Sequence, residues 1–177
     1  MKKFIALAIL GALAAPSFAI TLDFENLTGS GGLPSNYAGF ANWVGWNYYD
    51  APQFPYNPTS GVERVYTGVG TIDIGTDVVF LGAMFNGYGS ANGFPPLTVD
   101  MYNNNVLVAS DSFDLNGSGN ATLIGGNYGG AVDYIQISGP MGFFVMDDFS
   151  YRPVPEPVTL IALGAGLAAI ARKRRKA

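Results

Sequence analysis

Four acidic and four aromatic side chains carry most of the chemistry this chain offers. The acidic set is Asp23, Glu25, Asp147 and Asp148, two near the start of the body and two near its end. Carboxylates are oxygen ligands for calcium, and Asp also builds turns. The aromatic set is Trp43, Trp46, Tyr48 and Tyr49, followed by Phe54 and Tyr56 and interleaved with Asn42, Asn47 and Asp50. Flat rings beside amides and carboxylates suit a sugar, whose faces stack on rings and whose hydroxyls need hydrogen bonds. Catalysis has little to work with. The chain has no Cys and no His, which excludes a Ser/His/Asp triad and a Cys nucleophile. Two carboxylates serve a glycosidase, but no spacing marks such a pair. Gly68-Val69-Gly70 lacks the Lys and the following helix of a phosphate loop. A non-catalytic protein is expected.

Charge narrows the partners. Between residues 20 and 153 there are twelve acidic residues against Arg64 and Arg152, so the body is −10 while the whole chain is −4. That makes nucleic acid and anionic lipid poor partners for the body and cations plausible ones. Ten of the twelve acids are Asp, with thirteen Asn beside them, and both types also build turns. Stability must come without disulfides.

The elements that position these groups read as strands. Short β-branched and aromatic runs alternate with Gly, Asn, Asp and Pro clusters. The expected strands are 20–24, 39–49, 63–67, 71–74, 78–85, 97–102, 106–113, 121–124, 132–138 and 142–151. Asn103-Asn104-Asn105 and the stretch Asn116–Asn120 signal hairpins, because Asn and Gly tolerate positive φ. Pro52, Pro55 and Pro58 mark a long loop, and Pro95-Pro96 another. Ten strands at this spacing predict an all-β, antiparallel two-sheet β-sandwich or jelly roll over residues 20–153.

Within the last strand, alternation puts Phe143, Val145, Asp147, Phe149 and Tyr151 on one face. A carboxylate among apolar neighbours needs a cation or several hydrogen bonds. Calcium at Asp147 and backbone N–H groups at a bulge both satisfy that need; Asp148 falls on the more polar face. Trp43 and Trp46 differ in parity, which sends them to opposite faces of a regular strand. A flat, exposed aromatic platform supports glycan binding. Burial of Trp43, Trp46 and Tyr48 supports a structural or self-associating role instead. The Gly87–Gly93 loop is a second candidate rim.

Both ends differ from the body. Lys2 and Lys3, the apolar run Phe4–Ala15 and the small residues Ser17 and Ala19 describe a cleavable signal peptide over residues 1–19. At the other end, residues 158–171 are an apolar run, and Arg172, Lys173, Arg174, Arg175 and Lys176 follow at once. Fourteen residues cover about 21 Å as a helix, short of the ~30 Å hydrocarbon core. Snorkelling and bilayer thinning close the gap, and the basic end faces the cytoplasm. A transmembrane helix is therefore expected there, with everything before it outside.

The tail has three parts in order: Val154, Pro155, Glu156 and Pro157; the apolar run; the basic cluster. It resembles the PEP-CTERM sorting signal of Gram-negative bacteria. The resemblance covers residues 154–177. It implies recognition of Pro155-Glu156-Pro157 by an exosortase, a membrane protease-transpeptidase, then removal of the tail and release or attachment at the cell surface. It also implies an association with exopolysaccharide and biofilm. A second resemblance concerns the body. Its acidic opening strand and its Asp-Asp closing strand are similar to those of calcium-binding jelly-roll carbohydrate-binding modules, which implies a structural calcium shared by Asp23, Glu25, Asp147 and Asp148.

Overall fold

The computed structural model describes residues 18–139, 144–154 and 164. The chain divides into two units, residues 19–152 and the remaining segments 1–18 and 153–177. Of the second unit, Phe18, Pro153, Val154 and the helical Gly164 are described. The rest of the expected signal peptide and apolar helix lies outside the described residues, as do Pro155, Glu156, Pro157 and the basic cluster 172–176. Among the described residues no helix is long and apolar enough to cross a membrane.

Residues 19–152 are all-β, as their composition predicts. The strands are β1 (Ile20–Leu22), β2 (Ser30–Gly32), β3 (Asn42–Val44), β4 (Asn47–Tyr49), β5 (Arg64–Tyr66), β6 (Val69–Gly87), β7 (Leu97–Asn103), β8 (Val106–Phe113), β9 (Thr122–Ile124), β10 (Val132–Ser138) and β11 (Phe144–Pro153). Among the described residues they hydrogen-bond, mainly antiparallel, into one continuous eleven-stranded sheet. Its main path runs β2-β4-β5-β11-β6-β10-β7-β8, with β1 on β11 and both β3 and β9 on β6.

Several boundaries depart from expectation for identifiable reasons. The runs 71–74 and 78–85 are one 19-residue strand, β6. It bends where its register against β10 slips, between Asp73 and Val78. Gly75 sits in that bend at φ +75, a conformation that favours glycine. The expected strand 39–49 breaks into β3 and β4 at Gly45, φ +82. The Asn104-Asn105 turn forms as predicted, with φ +51 and +62, and joins the paired strands β7 and β8. Asn116–Asn120 makes no hairpin, since β9 beyond it pairs with β6. Nothing apolar marks β2, Ser30-Gly31-Gly32; pairing with β4 holds it.

The core is aromatic at its centre. Phe80 and Phe149 lie 4.9 Å apart between centroids, Phe40 stacks on Trp43 at 5.7 Å, and Trp43 meets Phe149 edge-on at 5.9 Å. Such pairs add about 0.5–1.5 kcal/mol each beyond burial. Phe144, Val145, Met146 and Asp147 are all buried, so the two-faced alternation expected for β11 fails there. The strand lies inside the sheet between β5 and β6, pairs with β1 as well, and is buried on both faces over residues 144–147. Strands covered on both faces lose the polar alternation.

Candidate functional site

The long proline-rich loop at 50–63, between β4 and β5, organises both predicted sites. Its later half is held by carboxylates. Asp147 accepts backbone N–H bonds through Oδ2 from Thr59 at 2.7 Å and Ser60 at 2.9 Å. Its Oδ1 accepts the Asp148 N–H at 2.8 Å. Asp148 is half-buried at φ +47 and accepts the Ser60 hydroxyl at 2.9 Å. From the other side, Glu25 Oε1 accepts the N–H groups of Val62 at 2.9 Å and Glu63 at 2.7 Å. Gly61 lies between these grips at φ +49, and a side chain there would collide with the Glu25 carboxylate.

Three of the four residues expected to share calcium therefore do converge, but on a loop. Backbone N–H groups bond to both Asp147 oxygens and to Glu25 Oε1, and the Ser60 hydroxyl bonds to Asp148 Oδ1. The fourth, Asp23, is exposed and accepts the Glu25 N–H at 3.3 Å. Among the described residues no group of three or more ligand-type side chains is placed to hold a metal ion. The alternative weighed for Asp147, backbone donors at an irregular strand position, is what the structure contains.

Electrostatics around the loop follow from burial. Desolvation pushes the Asp147 carboxyl up to about 6, with the Asp148 charge adding and the three N–H bonds opposing. Glu63 is 2 % exposed, and its Oε2 has no hydrogen-bond partner. Burial raises its pKa first, then the charges of Asp50 and Glu25, while Arg64 acts against them. Arg64 is 1 % exposed. Its guanidinium donates to Val62 O at 2.8 Å and to Ala51 O, lies 3.9 Å from the Tyr49 ring centroid, and leaves Nε unpartnered.

The earlier half of the loop borders a cleft of about 370 Å³. Tyr49, Tyr56 and Tyr66 wall it, with Gln53 and Ser30 among its polar groups. The Tyr49 and Tyr66 rings stand 5.4 Å apart and nearly perpendicular, at 86°. Burial raises the Tyr49 phenol against the pull of Arg64, and pushes Tyr56 up to about 12.

The predicted aromatic platform splits accordingly. Trp43 and Trp46 are both buried, at 3 % and 4 % exposure, so neither is a docking surface. The parity argument fails because Gly45 interrupts the strand between them. Each indole donates to a carbonyl, Trp43 to Tyr37 O at 3.0 Å and Trp46 to Thr71 O at 3.3 Å. Tyr48 is half-buried against the core. Tyr49 alone of the four lines the cleft. Glu63, Arg64, Gln53 and Tyr66 were not singled out by sequence. A signal existed for Arg64, the lone base between residues 20 and 151.

Compared with curated proteins and with solved structures, the chain has no match. Its C-terminal end does have one. Residues 153–176 match the model of the PEP-CTERM protein-sorting motif. That match places the Pro155-Glu156-Pro157 signature, the apolar run and the basic cluster in one recognised signal, and the chain carries a sorting signal of the kind that exosortases process during export.

Proposed function

We propose that the chain is an exported, non-catalytic surface or matrix protein of a Gram-negative bacterium. It is held in the inner membrane as a precursor and passed to an exosortase. The matched motif at residues 153–176 carries this reading. The acidic body, −10 over residues 20–153, suits an extracellular life among polysaccharide rather than contact with nucleic acid or anionic lipid. Its sheet is read as folded over on β6 into two facing layers, a sandwich with the aromatic cluster between them. Cellular fractionation tests the sorting step. Replacing Glu156 or Pro157 leaves a full-length precursor in the inner membrane. Unchanged processing and surface location in those variants would replace sorting by a plain single-pass anchor.

Burial of both tryptophans, together with the β8 edge, supports a second role, self-association in the matrix. Strand β8 ends the sheet, carries no Lys or Pro, and exposes Val106, Leu107 and Phe113. Unprotected edges of this kind pair with other chains. Concentration-dependent oligomers that dissociate in a Leu107→Lys variant are the expected result. A monomer at all concentrations removes that role.

A further inference from the structure

We propose that the cleft walled by Tyr49, Tyr56 and Tyr66, with Gln53 beside them, binds a neutral saccharide. The inference deepens the surface-protein reading and rests on it only for the setting in which a glycan is met. The site differs from the tryptophan platform that sequence suggested.

Shape is the first argument. At about 370 Å³ the cleft falls at the small end of the ~300–1,000 Å³ range of small-ligand sites. Tyr49 and Tyr66 touch each other at 86°, so the wall they form together offers a ligand a ring face and a ring edge side by side. A pyranose has the matching anisotropy, with C–H faces above and below and hydroxyls around its rim. Polar groups for that rim are present. Gln53 is exposed, gives its carbonyl to the Tyr56 N–H at 2.7 Å, and among the described residues its side-chain amide has no partner. Ser30 also lines the cleft.

Charge selects the class. Tyrosine walls also attract cations, but here a cation is already built in. The Arg64 guanidinium lies 3.9 Å from the Tyr49 ring centroid. A second cation therefore finds the cation–π position on that ring already taken. An anion gains little from Arg64, whose terminal donors are turned to Val62 O and Ala51 O inside the protein. It also approaches a body of charge −10. A neutral polyol meets neither penalty.

Binding to the purified full chain in detergent micelles is the test, read by saturation-transfer NMR and calorimetry. The probes are neutral gluco-, manno- and galacto-oligosaccharides, oligouronates, and oligomers of glucosamine. At least one neutral series is expected to bind, and oligouronates and glucosamine oligomers at least tenfold more weakly. Gln53→Ala, at an exposed position, and Tyr66→Leu each weaken that binding at least tenfold. Gln53→Ala decides the matter should Tyr66→Leu fail to fold. Absence of binding across the neutral series, equal binding of charged oligomers, or full binding by Gln53→Ala overturns the proposal. Sorting is read separately by the fate of the tail, so the failure of one leaves the other standing.

Discussion

Asp147 and Glu25 hold one loop from opposite ends. Asp147 takes the N–H groups of Thr59 and Ser60, and Glu25 takes those of Val62 and Glu63, all between 2.7 and 2.9 Å. The two carboxylates come from β11 and from the turn after β1, strands that pair with each other. A single grip thus ties both ends of the domain to the loop that leads into β5.

Removing either grip has unequal cost. Asp147 is buried; in Asp147→Ala the N–H of exposed Thr59 turns to water, while those of half-buried Ser60 and Asp148 lose their acceptor, which costs about 2 kcal/mol or more at ~1–3 kcal/mol per unsatisfied group. Glu25 is exposed, water replaces it, and Glu25→Ala costs about 1 kcal/mol. Urea unfolding of the two variants gives both numbers. Equal costs would mean that burial does not govern the grip.

Gly61 is the hinge of the same arrangement. Gly61→Ala forces a Cβ into the Glu25 carboxylate and holds an alanine at φ +49, where side-chain residues are strained by about 1 kcal/mol. Its cost is expected to exceed that of Glu25→Ala. In the double variant the two costs are less than additive, because the collision disappears with the carboxylate. Full additivity in the four-way cycle would separate the two residues.

Stability should fall as pH rises from about 4 to 6. The folded pKa of Asp147, about 6, lies above its ordinary 3.8, so the folded state keeps a proton that the unfolded state has lost. The contribution is complete below pH 4 and gone above 6, and amounts to at most about 3 kcal/mol. Glu63 shifts in the same direction, and net negative charge adds repulsion as pH climbs. Melting temperature across pH 4–7 is the measurement. A melting temperature that climbs from pH 4.5 to 7 contradicts this sign.

Both tryptophans should behave as core. Trp43→Ala is expected to cost about 3–5 kcal/mol. The native emission should be blue-shifted and poorly quenched by iodide, with the shift lost on unfolding. Strong iodide quenching of either indole would return it to the surface.

Strand existence was largely legible, because β-branched and aromatic runs with Gly and Asn breaks survive in almost any all-β packing. The Asn104-Asn105 hairpin was written in its residues. The β6 bend at Gly75 was not, since two runs with a break between them read the same whether the chain turns or only kinks. For Asp147 the chemistry was legible and the partner was not. Burial beside apolar residues demanded compensation, but two of the three donors are main-chain groups 87 and 88 positions away, invisible to composition. The cleft was hidden for the same reason, as Tyr49 and Tyr66 meet only through the pairing of β4 with β5.

Strand β11 runs directly into residue 153, where the sorting motif begins. It is also an interior strand, hydrogen-bonded along both edges. Tension drawn through that end must shear two ladders at once and tear Asp147 from its loop, rather than peel an edge. Resistance to such pulling is set by the barrier to unfolding, not by equilibrium stability. A protein fastened by this end is thus loaded along an interior strand, as a rope is tied to a beam and not to the cladding.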